Sequence, residues 1–136
     1  MQYEVEQKYA VSDRVTLELQ LDNLGIVWDE TVQQRDAYYN HPTRDFAQTD
    51  EAIRIRTSAG KHCITYKGPR IDQTTKTRQE IEIPLGEHVT SNAAEQLLVA
   101  LGFSYVAVVE KIRRTGTLVW QDHPLTIAID EVTGLG

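Results

Sequence analysis

An internal repeat is the feature that most constrains the fold of this chain. The segments EVEQKYAVSDRVTLELQLDNLGIVW, which begins at Glu4, and EIEIPLGEHVTSNAAEQLLVALGFSYV, which begins at Glu80, both read as a Glu-x-Glu strand, a helix and a Leu-Gly exit into another strand. Further along, AIRIRT (52–57) corresponds to LTIAID (125–130). A repeat of this kind fixes the architecture, because each copy must form the same local structure. We therefore expect two copies of a strand-helix-strand-strand-strand unit.

Period-2 alternation and turn residues predict the individual elements. The predicted strands are 2–10, 26–40, 51–58, 61–68, 76–84, 103–115, 117–121 and 124–132. Helices are predicted at 13–24, with Ser12 as N-cap, and at 92–101, each ending at a Leu-Gly pair. Strands dominate and the connections are short, which favours antiparallel pairing. The prediction is a mainly β (α+β) fold: a closed or nearly closed eight-stranded antiparallel β-barrel with flanking helices. An open, twisted antiparallel sheet is the alternative.

The composition narrows the class of protein. The chain has 136 residues, enough for one compact domain spanning 1–136, and its formal net charge is −6. A negative whole-molecule field disfavours nucleic acid and anionic lipid as partners, so a bound anion needs local positive charge. The single cysteine, Cys63, excludes an internal disulfide and fits a reducing compartment. No stretch resembles a membrane span or a signal peptide, so the expected location is the cytoplasm.

The alternation within the predicted strands separates charged from apolar side chains almost completely. One parity is apolar and includes Ile53, Ile55, Ile81, Ile83, Ile127 and Ile129. The other parity is charged and holds Glu4, Glu6, Lys8, Arg54, Arg56, Thr65, Lys67, Lys76, Arg78, Glu80, Glu82, Lys111, Arg113 and Asp130. Two interpretations of the charged parity compete. It is either the ordinary solvent-exposed face of a sheet, or the inner face of a polar tunnel whose apolar outer face is covered by the helices.

The residue types favour the tunnel. Surface strands usually mix neutral polar residues among their charges, whereas these strands carry almost only Arg, Lys, Glu and Asp at their middle positions. Many ionised groups in a confined space are costly unless ions from solution complete the charge balance. Arginine forks and lysine ammonium groups suit the oxygens of a polyphosphate. Carboxylates without histidine or cysteine partners suit Mg²⁺ or Mn²⁺.

The order of these motifs resembles one family. EVEQK (4–8) looks like the ExExK signature of the CYTH superfamily, the triphosphate tunnel metalloenzymes, which include class IV adenylate cyclases and thiamine triphosphatases. The segments AIRIRT, ITYKGP, TKTRQEIEI, VVEKIRRTG and IAIDEVTGLG resemble the later strands of the family in the same order. The resemblance covers essentially the entire chain. It is greatest to the class IV adenylate cyclase-like branch.

The resemblance implies a role for each matched residue. Glu4, Glu6 and Asp130 would bind Mg²⁺ or Mn²⁺, and Glu80 and Glu82 would organise the basic cluster or a second metal position. The triphosphate would be bound by Lys8, Arg54, Arg56, Lys67, Arg78, Lys111 and Arg113, of which Lys8, Lys111 and Arg113 would take part in catalysis. The implied reaction is conversion of ATP to cyclic AMP and pyrophosphate. The alternatives are hydrolysis of inorganic or thiamine triphosphate, and non-catalytic binding of nucleotide or polyphosphate.

The C-terminal end departs from the family pattern. Family members continue beyond Gly-Leu-Gly into a last strand with further glutamates, whereas this sequence stops at Gly136. We therefore expect a CYTH-like domain that lacks its last strand. An unpaired strand edge of that kind would favour a homodimer.

Overall fold

The chain folds into one curled antiparallel sheet with its two long helices on one face. The computed structural model describes residues 2–4, 6–72, 74 and 77–135. In chain order the elements are β1 Gln2–Glu4, α1 Arg14–Asn23, β2 Val27–Trp28, β3 Val32–Asn40, α2 Phe46–Thr49, β4 Ala52–Ser58, β5 Lys61–Lys67, β6 Arg78–Pro84, α3 Ser91–Ala100, β7 Ser104–Trp120 and β8 His123–Leu135. A helix follows the first strand of each copy, as the repeat predicted, but the second copy has three strands, β6, β7 and β8, where the repeat predicted four.

The sheet has the order β1-β6-β5-β4-β3-β7, with β2 and β8 also paired to β7. Every pairing is antiparallel. In the described part of the chain β1 pairs with β6 and β8 pairs with β7, and the two strands do not pair with each other. The sheet therefore curls into a half-barrel, and the closed eight-stranded barrel is not confirmed.

Both long helices begin and end where local chemistry predicts. Asp13 is the N-cap of α1 and accepts a hydrogen bond from the Thr16 backbone N–H at 3.0 Å, so the N-cap prediction of Ser12 was wrong by one residue. Thr90 caps α3 in the same way through Ala93. Gly25 and Gly102, just after the helices, have φ of +88° and +98°, which a residue with a Cβ adopts only under strain.

The two long helices cover the apolar face of the sheet. Each helix packs on strands that belong to the other copy of the repeat. Ala94 and Leu98 of α3 pack on Ala37, Tyr39 and Ile55 of β3 and β4. A second cluster joins helix α1 to β7 and β8; it contains Leu21, Ile26, Leu118 and Ile129. Burying a Leu or Ile side chain contributes about 1.5–3 kcal/mol, so these two clusters hold the helices to the sheet and leave its other face open.

The elements differ from the sequence prediction at several points. Strand 2–10 ends at Glu4, and residues 6–10 form no strand. The predicted strand 26–40 is interrupted at residues 29–31, which lie opposite only two residues of β7, as in a β-bulge. Strands 103–115 and 117–121 are one strand, β7, because β8 pairs with it on both sides of residue 116, from Val109 to Trp120, with one register shift between Glu110 and Lys111. The connection 41–51 contains the short helix α2.

The helices are short. The longest two in the described residues have ten residues each, and none is long and apolar enough to cross a membrane.

Candidate functional site

The strand registers place the charged parity on the face opposite the helices, here called the charged face. Arg54 lies opposite Thr65, Lys67 opposite Glu80, and Arg113 opposite Asp130. Side chains of directly paired residues point to the same face, so the face runs across β6, β5, β4, β3, β7 and β8. Its described members are Gln34, Asp36, Tyr38, Arg54, Arg56, Cys63, Thr65, Lys67, Arg78, Glu80, Glu82, Lys111, Arg113 and Asp130.

Asp36 of β3 is at the centre of the charged face. The side chain is 0% exposed, and its two carboxylate oxygens accept hydrogen bonds from Nε and Nη2 of Arg56 at 2.7 and 2.8 Å. Lys111 Nζ lies 3.3 Å from Oδ2 of the same carboxylate. Burial alone would raise the pKa of Asp36, but the hydrogen bonds and charge of Arg56, with Arg54 and Lys111, outweigh it and hold that pKa below its usual value. Asp36 is therefore an ionised carboxylate in a buried ion cluster.

Asp130 and Arg113 form a second paired group on neighbouring strands. Arg113 Nε and Nη2 donate to Oδ1 and Oδ2 of Asp130 at 2.6 and 2.7 Å, and Lys111 Nζ lies 3.9 Å from Oδ2. The hydrogen bonds from Arg113 lower the pKa of Asp130, and the charges of Arg113, Lys111 and Lys8 add to this effect. Burial lowers the pKa of Lys111, and the charge of Asp36 opposes that change. Lys111 thus links Asp36 to Asp130.

A cavity of about 290 Å³ opens beside β4, β5 and β6. Its lining includes four basic side chains, Lys8, Arg54, Lys67 and Arg78, and Tyr38 from β3. Another part of the wall comes from the 41–51 connection, with Phe46 and Ala47 of α2 and the carboxylates Asp50 and Glu51. The Nε of Arg54 is buried and has no hydrogen-bond partner among the described residues. A buried cationic donor without a partner is costly, which makes this cavity a candidate anion site.

Arg78 is held by the connection that lines the cavity. Its Nη1 donates to the backbone carbonyls of Asp50 at 2.9 Å and Gly68 at 3.1 Å, and its Nη2 donates to Asp50 Oδ1 at 3.3 Å. Asp50 also accepts from the backbone N–H and the Nε of Arg70 at 2.9 and 3.1 Å. The backbone N–H of Arg70 is the main cause of the lowered pKa of Asp50. Asp50 is therefore an ionised competitor for any anion that approaches Arg78.

The N-terminal motif is only partly described. The backbone of Glu4 pairs with Arg78, but the side chain of Glu4 lies outside what the structure describes, as does Lys76. Glu6 and Lys8 follow β1 in a segment without regular structure, and both line the cavity. Lys8 Nζ is 3.7 Å from Glu6 Oε1, and its side chain is 66% exposed. Lys8 therefore lies beside Glu6 at an exposed part of the cavity.

The described carboxylates offer oxygen donors for a divalent ion. Glu6 and Asp130 both lie near Lys8, and hard carboxylate oxygens are the ligands that Mg²⁺ and Mn²⁺ prefer. No three acidic, imidazole or thiol side chains in the described residues converge as a metal-binding group. The assignment of Glu4, Glu6 and Asp130 as metal ligands therefore stays a prediction.

Glu80 and Glu82 differ in their surroundings. Glu80 Oε2 lies 3.9 Å from Lys67 Nζ, so Glu80 stands beside a base of the charged face. Glu82 accepts a hydrogen bond from the thiol of Cys63 at 3.3 Å. Burial, followed by the hydrogen bond to Glu82, raises the pKa of Cys63, so this thiol stays protonated. Neither glutamate lines the cavity.

Sequence reasoning missed three residues of this site. Asp36 and Tyr38 follow the same two-residue period along β3 as the charged residues of the other strands, so sorting that strand by parity would have found them. Tyr39 packs under helix α3 whereas Tyr38 lines the cavity, because neighbours along a strand point to opposite faces. Asp50 ends a short helix in a connection and carries no periodic signal.

Comparisons with known proteins agree with this architecture. The CYTH domain model matches residues 2–136. The chain is 38% identical over 133 residues to "Putative adenylate cyclase MJ0240" of Methanocaldococcus jannaschii, covering 98% of this chain and 72% of that protein. The solved structure of the PH1819 protein of Pyrococcus horikoshii OT3 is 36% identical, with a TM-score of 0.69 over 85% of this chain; the match spans 65% of the Pyrococcus chain, less than two thirds of it.

A more distant solved structure shares the fold alone. The HpAC1 protein of Hippeastrum is described as a putative adenylyl cyclase with a dominant triphosphatase activity; it is 17% identical, with a TM-score of 0.57 over 89% of this chain and 69% of its own. The family model matches residues 2–136, almost the whole chain. The same residues form the antiparallel sheet, with two helices on its apolar face and charged side chains on the other. The chain belongs to the CYTH domain family.

Proposed function

We propose that the charged face binds the phosphate chain of a small triphosphate compound. The observation that carries this proposal is the buried Nε of Arg54, which has no partner in the described residues and lies on a strand that lines a basic cavity. A phosphate oxygen would complete the hydrogen bonding of this guanidinium and offset the desolvation of its charge. Arg56, Lys111 and Arg113 continue the row of bases across the sheet, so an extended polyanion fits better than a single phosphate.

We propose further that the chain is a divalent-metal-dependent enzyme of the class IV adenylate cyclase type. In this reaction the ribose 3′-hydroxyl of ATP would attack the α-phosphorus and release its proton to water. The bond from the α-phosphorus to the oxygen that bridges the α and β phosphates would break, so pyrophosphate would leave as cyclic AMP forms. The support is the 38% identity to a protein described as a putative adenylate cyclase. Lys8, Lys111 and Arg113 would neutralise the charge that develops on the phosphate oxygens, and the fixed bases would hold the reacting groups in line.

The metal belongs to the same proposal. Glu4, Glu6 and Asp130 would hold Mg²⁺ or Mn²⁺, whose bound charge would neutralise phosphate oxygens. The chemistry of the donor set supports this assignment, since carboxylates without thiol or imidazole partners select hard cations. Release of Asp130 from its fork with Arg113 would make a carboxylate oxygen more available, while Arg113 would turn to the phosphate chain.

Hydrolysis of a triphosphate is the second candidate. The distant HpAC1 protein, which shares the fold, is described as having a dominant triphosphatase activity. Here water would attack the terminal phosphorus of ATP, thiamine triphosphate or tripolyphosphate, and the bond from that phosphorus to its bridging oxygen would break. ADP, thiamine diphosphate or pyrophosphate would leave, and the attacked phosphoryl group would become inorganic phosphate. Lys8 lines the cavity with a side chain that is two-thirds exposed, and in this proposal it would orient such a water. Cyclase and triphosphatase use the same bases and differ in which phosphorus meets the attacking oxygen.

A binding module without catalysis is the third candidate. It is favoured by the fork between Arg113 and Asp130 and by the lack, within the described residues, of a three-ligand metal group. Such a module would bind nucleotide or polyphosphate through the bases alone. It would show the same affinity with and without divalent metal.

One set of incubations tests the three candidates. Protein is incubated with ATP, thiamine triphosphate or tripolyphosphate and Mg²⁺ or Mn²⁺, and cyclic AMP, pyrophosphate and phosphate are followed by chromatography and ³¹P NMR. Cyclic AMP with pyrophosphate identifies a cyclase, and phosphate release identifies a triphosphatase. Saturable binding without turnover would reject both enzyme assignments. Absence of binding by every triphosphate would reject the proposal as a whole.

A further inference from the structure

We propose that Asp36 is a positioning residue of the phosphate-binding face, which holds Arg56 and Lys111 in the geometry that a phosphate chain meets. The inference rests on the proposed function, because it names how two of the proposed phosphate ligands are kept in place. Asp36 was not among the site residues expected from the sequence. Its role follows from its burial and its contacts.

Asp36 holds both bases without using up their donors. Arg56 gives it one hydrogen each from Nε and Nη2, at 2.7 and 2.8 Å. A guanidinium has five N–H donors, so both hydrogens of Nη1 and one of Nη2 are not used by this fork. Lys111 Nζ, at 3.3 Å, needs only one of its three hydrogens for the carboxylate. Each base therefore has donors left for a phosphate oxygen while it stays anchored.

The location of Asp36 explains why a carboxylate is needed there. β3 lies between β4, which carries Arg56, and β7, which carries Lys111. Asp36 is the direct cross-strand neighbour of Arg56, and it brings Lys111 to the same carboxylate from the other side. Two cations this close repel each other, most strongly where water is excluded. A fixed negative charge between them removes that repulsion and sets their separation.

Asp36 cannot itself be a ligand for the substrate or for a metal. Its side chain is 0% exposed, whereas Asp130 is 28% and Asp50 is 39% exposed. Arg56 and Lys111 are 13% and 10% exposed, so they cover the carboxylate and present their remaining surface to the charged face. Asp36 therefore acts through the two bases. Its effect on binding must disappear when the bases that transmit it are removed.

A double-mutant cycle measures this dependence directly. The dissociation constant of tripolyphosphate is determined by calorimetry in the presence of EDTA, so that the bases are tested without metal. The variants are Asp36→Asn, Arg56→Gln, Lys111→Gln, and each double variant with Asp36→Asn. We expect Asp36→Asn to weaken binding at least tenfold, and by less than threefold in either the Arg56→Gln or the Lys111→Gln background.

Lys67→Gln is the matched control background, because Lys67 belongs to the same face but its strand, β5, is not adjacent to β3. In the Lys67→Gln background Asp36→Asn should still weaken tripolyphosphate binding by the full tenfold. A general loss of stability would instead weaken binding equally in every background. Equal losses in all three backgrounds would overturn the positioning role, and so would tighter binding by Asp36→Asn. If the unmodified protein fails to bind tripolyphosphate, the proposed function fails and the role of Asp36 falls with it.

Asp36→Glu keeps the test decisive if Asp36→Asn does not fold. It retains the negative charge opposite Arg56 and moves the carboxylate by one methylene, which changes the position of the fork. Circular dichroism would establish that the variant is folded. We expect at least threefold weaker binding of tripolyphosphate, and an affinity equal to that of the unmodified protein would overturn the role.

Discussion

Arg113 holds Asp130 by both carboxylate oxygens, with Nε 2.6 Å from Oδ1 and Nη2 2.7 Å from Oδ2. Arg113, a proposed phosphate ligand on β7, is thus paired with Asp130, a proposed metal ligand on β8. Such a fork is a strong, geometrically specific pairing. When a metal and a triphosphate bind, Asp130 would contact the metal and Arg113 would contact a phosphate, so the fork between them would open. The two residues can therefore be tested independently.

Asp130→Asn and Arg113→Gln should have different effects. Asp130→Asn removes a hard oxygen ligand, so Mn²⁺ affinity should fall at least tenfold, while tripolyphosphate affinity without metal should not fall because Arg113 is released. Arg113→Gln should weaken metal-free tripolyphosphate binding about tenfold, which corresponds to about 1.4 kcal/mol. Calorimetry measures both affinities. Parallel losses in the two variants would contradict separate roles.

Arg54→Gln should weaken tripolyphosphate binding strongly while it changes the free energy of unfolding only slightly. A charge-assisted hydrogen bond contributes about 1.5–3 kcal/mol, so the loss of this guanidinium should weaken tripolyphosphate binding by about 10- to 100-fold. The free energy of unfolding should change by less than about 1 kcal/mol, because the substitution also removes a buried donor that has no partner in the described residues. Calorimetry and urea unfolding give the two numbers.

Arg35→Gln is the matched control for Arg54. Arg35 lies on the opposite face of the sheet, where Nη1 is 3.4 Å from Oε1 of Glu95 in α3. This long, partly exposed ion pair contributes little to stability, and the substitution should leave tripolyphosphate affinity within twofold of the unmodified protein. A similar loss in both variants would show that net charge, and not the charged face, governs binding.

Asp50→Asn should strengthen anion binding. Asp50 Oδ1 lies 3.3 Å from Arg78 Nη2, and its carboxylate lines the cavity. Removal of this negative charge should raise tripolyphosphate affinity by about 3- to 10-fold at low ionic strength, with a smaller gain at high salt because screening weakens the interaction. Asp45→Asn is the control, since Asn caps α2 as well as Asp does. Unchanged affinity in Asp50→Asn would show that Asp50 does not compete for Arg78.

Acid should destabilise the protein in part through Asp36. Its folded-state pKa lies below the ordinary value of 3.8, so the stabilisation is fully present above that value and is lost as the pH falls through the lowered pKa. Asp36→Asn should cost about 3–5 kcal/mol at neutral pH, because it leaves two largely buried cations without their partner. Its unfolding free energy should then fall less between pH 5 and pH 2 than that of the unmodified protein, as measured by urea unfolding.

The exposed Asp29→Asn controls for the simple change in charge. Its unfolding free energy should fall with acid as steeply as that of the unmodified protein. If Asp36→Asn showed that same steep fall, the buried ion cluster would not be a source of the acid sensitivity.

Gly116→Ala tests the packing on the helix-covered face. A Cβ at Gly116 would lie 2.6 Å from Cδ1 of Ile26 and 2.8 Å from Cε3 of Trp28. This overpacking should cost about 1–3 kcal/mol of unfolding free energy. Gly86→Ala is the control, because nothing lies within 4 Å of its added Cβ. Equal stability of the two variants would contradict the close packing of β2 on β7.

Local patterns in the sequence determined much of this fold. The two-residue period separates charged from apolar side chains, and it does so because neighbours along a strand point to opposite faces. The residues Asp13 and Thr90 and the glycines at 25 and 102 define the helix ends through short-range hydrogen bonds and backbone freedom. The family motifs, which depend on the same spacing, were recognisable for the same reason.

Pairings between distant segments were decided by the tertiary structure. The fork between Arg56 and Asp36 joins two strands, and no spacing along the chain specifies which base a buried carboxylate accepts from. The contact of Arg78 with Asp50 depends on the path of an irregular connection. Likewise, the sequence predicted a closed or nearly closed barrel, with an open, twisted sheet as the alternative, and the pairing of the edge strands in the described residues gives a curled half-barrel. Sequence periodicity sets the face on which a side chain lies, and only the packing of the strands sets its partner.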